Sequence, residues 1–323
     1  MGADDVMRQY RDLYLDVAGH VRVDEAVELC LHLLDEGMRP EDITLQVLQP
    51  AQHEVGQRWA LGSWSVAQEH AASAVTDMAL AALSAAVPAR PQGDPVMVAC
   101  PQTEWHGLAA RMVTQLLRWR GVAADHVGTL ASDSALEELL TDRRPHALAL
   151  SCTMTSALPG VARAVDVATR HGTAVLGGGL GFGPQGRYAR AVGVTACDTH
   201  VSEAARRLAL WDGTGCPDHQ HAAPEPIAYR RLVRHRREIA EEIAESLLER
   251  EVDPAGAEIL RDAADQVVAL ALAAARTGHA SILDEGVVEL VAVLTERPEP
   301  TSAIAARLPV AAHAVVDRYR GGP

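Results

Sequence analysis

Over residues 3–87 apolar side chains recur every three or four positions, as in Ala26, Val27, Leu29, Leu31, Leu33 and Leu34. That period places them on one face of a helix, and the segment as a whole predicts a four-helix bundle over residues 1–88. From position 95 the pattern changes. Short unbroken apolar runs over 95–100, 123–128, 146–152, 173–178 and 194–198 alternate with helix-like stretches. Strand and helix in strict alternation predict a doubly wound parallel sheet over 95–213, with its ligands above the carboxyl ends of the strands. A third pattern begins at 225. Residues 227–251 read as a long helix with its arginines first and its acids later, an order that opposes the helix dipole. Asp253-Pro254 then supplies an N-cap with proline just inside, opening a helix that runs to Arg276 and stops near Gly278. Segments 281–296 and 301–319 complete an all-α module over 225–323. The Pro- and Gly-containing stretches 88–95 and 212–226 read as linkers. The fold class is therefore α/β plus all-α.

The first apolar run leads directly into Glu104-Trp105-His106-Gly107. A histidine in a strand-to-helix loop can offer one ring nitrogen to a metal while a nearby carboxylate holds the other ring N–H. Alone, His106 would more often be a solvated loop residue. Two further features fall at the same sheet edge. The third run ends in Ser151-Cys152-Thr153, and the fourth runs into Gly177-Gly178-Gly179. Hydroxyls there can bond a buried polar group, and glycines let the backbone approach a bulky planar ligand. Taken singly, Ser151 and Thr153 would serve as a cap and the glycines as a loop.

Taken together, Glu104, His106, Ser151, Thr153, Gly178 and Gly179 resemble the signature of the cobalamin-binding domain family: Asp or Glu-x-His-x-x-Gly, then Ser-x-Leu or Ser-x-Thr, then Gly-Gly, on a flavodoxin-like sheet. The resemblance implies that His106 is the lower axial ligand to cobalt, displacing the cofactor's own dimethylbenzimidazole; imidazole suits such a metal. One departure is visible, since Ala109 stands where the family has glycine three residues after the histidine.

Within the predicted bundle, Trp59 is followed after nine intervening residues by Glu69-His70. A bundle tryptophan alone would be core, and a Glu-His pair alone would be surface. In this spacing they resemble the cobalamin-dependent photoreceptors of the light-regulated repressor type, whose helical bundle caps the upper face of adenosylcobalamin. That resemblance implies that Trp59 packs on the adenosyl group and that Glu69 and His70 line its pocket. In those repressors a histidine follows the tryptophan directly; here the position is Ala60. His70, His53 or water would then have to take the vacated coordination site.

Net charge of −14 argues against a nonspecific grip on nucleic acid, and no basic helix-turn-helix module is expected ahead of the bundle. No membrane-spanning segment or signal peptide is expected. Five cysteines without paired spacing, Cys30, Cys100, Cys152, Cys197 and Cys216, read as reduced thiols of a cytoplasmic protein. His219 and His221 lie in the second linker and are read as solvated.

The module over 225–323 admits three readings: an interaction or dimerisation domain, a chromophore-binding domain, or a cryptic enzyme. Paired carboxylates, a nucleophile and a metal cluster are all missing from its sequence, so no enzyme is expected. A helical cap, a cobalamin sheet and a small globin-related helical domain resemble the photocobilins, which carry cobalamin and biliverdin side by side. That resemblance implies a bilin held without a thioether, its propionates near Arg230, Arg231, Arg234, Arg236 and Arg237 and its pyrroles near His235, His279 or His313. The expectation is a light sensor that responds to photolysis of adenosylcobalamin by changing its homo-oligomeric state, acting on an unknown effector protein. The alternative is a corrinoid carrier of a methyltransferase system.

Overall fold

The computed structural model describes residues 3–194, 196–197, 201–210, 224–248, 252–296 and 301–321. They divide into two units, Met1–Gln92 with Arg111–Val122, and Gly93–Ala110 with Ala123–Pro323. In the first unit, helices α1 (Ala3–Gly19) and α2 (Val23–Asp35) precede a continuous rod of α3 (Pro40–Ile43), a π-helical turn (Thr44–Leu48) and α4 (Gln49–Ala60). The helix widens where it does because Pro50 has no N–H to give the carbonyl four residues back. Gln49 N–H instead reaches Thr44 O, five residues away. Helix α5 (Val66–Ala86) completes the bundle, opened by a capping box in which Ser65 and Gln68 satisfy each other's backbone N–H. The core of this unit is apolar, with Leu33, Ile43, Val47, Leu48, Leu80 and Leu83 buried around Tyr14. Tyr14 is satisfied inside it by Thr76 at 3.2 Å.

The second unit contains a five-stranded sheet among the described residues, β1 (Gln92–Cys100), β2 (Val122–Thr129), β3 (Ala147–Ser151), β4 (Ala174–Gly178) and β5 (Ala196–Cys197). Helices α6 (Gly107–Trp119), α7 (Asp133–Arg143), α8 (Leu158–Arg170) and α9 (Val201–Leu210) connect or follow the strands. The strand order is β2-β1-β3-β4-β5, and β1–β3, β3–β4 and β4–β5 pair in parallel. This is the flavodoxin-like order, and its switch point lies between β1 and β3.

The C-terminal helices are α10 (Ile227–Leu247), α11 (Pro254–Thr277), α12 (Ser281–Thr295), α13 (Thr301–Ala305) and α14 (Leu308–Arg320). Asp253 caps α11 by accepting from Gly256 N–H at 2.8 Å, and Gly278 ends it in the left-handed region. The helix expected over 301–319 is broken in two. Pro309 has no N–H for the carbonyl of Ala305 and its ring crowds that group, so the chain stops and restarts with proline in the first turn of α14. The acidic half of α10 is matched by α14, where Arg318 and Tyr319 both bond Glu242, the latter at 2.6 Å. These helices share one apolar core with the sheet, because Val161, Val165 and Ala168 of α8 join Leu260, Ala264, Val267 and Ala271 of α11 in a single buried cluster. Among the described residues no helix is long and apolar enough to cross a membrane. Cys216, His219 and His221, and most of the second linker, lie outside the described residues.

Candidate functional site

The loop that leaves β1 is built around a buried carboxylate. Glu104 is fully buried. Its Oε1 accepts from His106 N–H at 3.0 Å and from the ring Nδ1 at 2.5 Å. Its Oε2 accepts from the backbone N–H groups of Thr153, at 2.6 Å, and Met154, at 2.7 Å. Glu104 thus staples the loop after β1 to the loop after β3, across the switch point. Burial alone would raise its pKa, but the bonds from the His106 ring, Met154 N–H and His106 N–H together outweigh burial and hold it below the usual carboxylate range. A charged Glu104 fixes the proton on Nδ1 of His106, so Nε2 carries the lone pair that a metal takes. The His106 side chain is 52% exposed.

The loop is also held from behind. Thr103 sits at φ 71, unusual for a β-branched residue. A Cβ on Gly160, in the first turn of α8, would come within 2.6 Å of Gln102 O, so only glycine lets that loop approach so closely. The thiols beneath it are kept neutral: burial first, then the charge of Glu104, pushes Cys100 up to about 12 and Cys152 well above its usual value.

The other expected residues gather at the same edge in roles partly different from those expected. Ser151 ends β3, buried, and pairs in register with Gly178. Thr153 contributes its N–H to Glu104 rather than a hydroxyl. Gly107 opens α6, with open space where a Cβ would lie. Gly177 and Gly179 make room for protein. A Cβ on Gly177 would strike the Phe182 ring at 2.5 Å, and one on Gly179, at φ 110, would strike Cys152 O at 2.3 Å. Residues not anticipated from the sequence complete the rim. Trp105, Met154 and Leu180 are exposed apolar side chains on the loops after β1, β3 and β4. Their only sequence signal was adjacency to the motif residues. A flat apolar ligand over a half-exposed imidazole suits this surface, so the residues fit a corrin whose lower ligand is His106.

In the helical unit, Trp59 lies in the last turn of α4, while Glu69 closes the first turn of α5 and His70 follows it, so the hairpin brings them to one end. Glu69 is well fixed. His70 Nδ1 bonds its Oε2, Ser73 donates to Oε1 at 2.9 Å, and Gln52 donates to Ser73 at 2.6 Å. Gln52 and Ser73 were not anticipated; their signal was one helical turn, since Ser73 lies four residues after Glu69.

The C-terminal candidate histidines each have local partners. Arg234 is exposed on α10. His235 bonds Glu238 at 2.8 Å and lies 5.3 Å from the Tyr319 ring. His313 bonds Asp284 at 2.8 Å and Pro309 O at 2.8 Å. His279 lies edge-on to Tyr188, with ring centroids 5.0 Å apart. Two polar atoms of the second unit, Arg276 Nη1 and the Tyr188 hydroxyl, are buried without a hydrogen-bond partner.

The fold and site define a flavodoxin-like protein that presents a carboxylate-held imidazole above the switch point of its sheet. Comparisons make this specific: residues 10–84 match one B12 binding domain family, and residues 95–209 match a second family of the same description. The chain is a cobalamin-binding protein that contains two B12-binding domains, a helical one and a Rossmann-like one. The monomethylamine corrinoid protein of Methanosarcina barkeri has a similar fold, with TM-score 0.55, 18% identity, and 63% of this chain and 99% of that one covered. A cobalamin-binding protein from Desulfitobacterium hafniense DCB-2 aligns with TM-score 0.33 and 15% identity over 60% of this chain and 94% of that one. The methanol:cobalamin methyltransferase complex MtaBC of Methanosarcina barkeri aligns with TM-score 0.33 and 17% identity over 61% and 79%. No curated protein sequence matches the chain.

Proposed function

We propose that this protein is a light sensor whose cofactor is adenosylcobalamin, with biliverdin as a second chromophore in the C-terminal helices. The observation that carries the first part is the gathering of Trp59, Glu69 and His70 at one end of the α4–α5 hairpin, with the carboxylate held by Ser73 and His70. An indole gives a flat apolar cover, and an oriented carboxylate accepts from ribose hydroxyls. On this reading Trp59 and Glu69 would recognise the adenosyl group, and His106 would be the lower ligand. Bound adenosylcobalamin supplies a cobalt–carbon bond that light breaks. His70 would supply a nitrogen ligand once that bond is broken. Its Nδ1 is held by Glu69 just as the Nδ1 of His106 is held by Glu104, which leaves Nε2 as the basic nitrogen in both.

The output is a change in oligomeric state, limited in size by how differently the two cofactor states contact Trp59 and Glu69. On this reading the protein signals and does not catalyse. The test is to load the chain with adenosylcobalamin in the dark and illuminate it. A light-dependent spectrum with a shifted elution volume supports the sensor; an unchanged elution volume after complete photolysis refutes it.

For biliverdin the supporting residues are Arg276, Tyr188 and His279. The buried guanidinium has a nitrogen without a partner, as a propionate requires, and the sequence carries no cysteine beyond Cys216, so attachment is noncovalent. Red-shifted absorption on adding biliverdin, lost in Arg276→Met, supports this; unchanged uptake by the variant contradicts it.

A second reading, a corrinoid carrier that accepts a methyl group from a partner methyltransferase, is favoured by the fold shared with the monomethylamine corrinoid protein. Methylation by a partner in the dark, with no light response, would establish it instead.

A further inference from the structure

Arg163 ties the loop that carries His106 to the C-terminal helices. Arg163, on α8, donates through Nη2 to Gln102 Oε1 at 2.7 Å and through Nη1 to the Tyr229 hydroxyl at 3.4 Å. Gln102 precedes Glu104 by two residues, and its amide also donates to Asp133 at 3.1 Å. Asp133 lies 3.8 Å from the same guanidinium. Tyr229 is buried in the first turn of α10. Gly160 lets the backbone of Gln102 lie against the first turn of α8, one helical turn before Arg163. The loop therefore cannot move away from α8 without breaking a bond to Arg163, and Arg163 cannot follow it without leaving Tyr229.

We infer that Arg163 is a positioning residue which holds the His106 loop in place through Gln102 and passes a shift of that loop to α10 through Tyr229. The C-terminal helices thereby sense whether the imidazole is engaged. A planar guanidinium suits the task because its fork reaches two acceptors at once, which an ammonium on a flexible stem does not. The coupling is a difference in contacts between two states of one loop, so it operates in both directions. The inference rests on His106 as the lower ligand.

The test is hydrogen–deuterium exchange on the full chain, with and without hydroxocobalamin, reading peptides that span α10 and following the absorption spectrum in parallel. In the wild type, cobalamin uptake with the cofactor's own base displaced changes the protection of α10. In Tyr229→Phe uptake and spectrum are retained and the α10 response is lost. In Arg163→Met the response is also lost and cobalamin binds more weakly, and Arg163→Lys does not restore it. An α10 response that is absent from the wild type, or that persists in Tyr229→Phe, overturns the relay while leaving the lower-ligand assignment intact. Uptake with the cofactor's own base still on the metal overturns that assignment and the relay with it. Should Arg163→Met fail to fold, Tyr229→Phe decides alone.

Discussion

Replacing Glu104 by glutamine keeps the shape of the side chain and removes half of its acceptors. The carboxylate is fully buried and takes four N–H bonds, two from His106 and one each from Thr153 and Met154. An amide has one acceptor oxygen, so its NH2 must face one pair of donors. Turned toward His106, the NH2 leaves that backbone N–H unpaired and is met by the ring only if the ring proton moves to Nε2. Turned the other way, it leaves the Thr153 and Met154 N–H groups unpaired. Each orphaned buried donor costs about 1–3 kcal/mol, and the charge assistance of the remaining bonds is lost as well. The sum is about 3–5 kcal/mol, a large share of the roughly 5–15 kcal/mol that holds a domain folded. Urea unfolding of the cobalamin-free chain at neutral pH measures the cost, and nitrogen NMR of the imidazoles locates the ring proton. A loss below about 1 kcal/mol, with the proton still on Nδ1, would refute the reasoning.

Gly160→Ala places a methyl 2.6 Å from Gln102 O and destabilises by about 1–3 kcal/mol, read as a lowered Tm; an unchanged Tm contradicts the close approach. Arg276→Met removes a buried cation whose nearest carboxylate, Asp166, is 4.0 Å away and whose Nη1 is unpartnered; the unliganded chain should be as stable or up to about 4 kcal/mol more so, and a loss above about 2 kcal/mol argues against an unsatisfied charge. The folded pKa of Glu104 is depressed, so its contribution is complete above the unfolded carboxylate pKa, about 4.3, and is lost as pH falls through the lower folded value; Glu104→Gln should remove that acid limb from a stability–pH curve. The hydrogen bond to Asp284, then that to Pro309 O, raises the pKa of His313, so its contribution is complete below about 6.5 and fades as pH rises through the folded value; Asp284→Asn should shrink that slope, leaving the part due to Pro309 O.

Helix–strand alternation made the fold class legible, because buried parallel strands are unbroken apolar runs and bundle helices carry a 3.6-residue period. Glu104 and His106 were legible as a pair for the same reason: they follow directly on the first apolar run of the predicted sheet. The four-bond role of Glu104 was not, since two of its donors are backbone groups 49 and 50 residues away, and a backbone N–H has no sequence signature. Gly177 and Gly179 were visible as glycines, but their purpose was hidden because it depends on where Phe182 and Cys152 fold back. Arg163, Gln102 and Tyr229 form a contact across three elements, which no local spacing encodes. In the C-terminal helices charge order pointed to the arginines around Arg234, and nothing local marked Arg276, a buried guanidinium whose Nη1 lacks a hydrogen bond.

The most direct test of the account is electron paramagnetic resonance of the cob(II)alamin-loaded chain, prepared with natural and with nitrogen-15-labelled histidine. With His106 Nε2 on cobalt, the superhyperfine splitting changes from a triplet to a doublet on labelling, and the change disappears in His106→Ala. A triplet that survives labelling would mean that the cofactor's own base still holds the metal, and would contradict the assignment of His106.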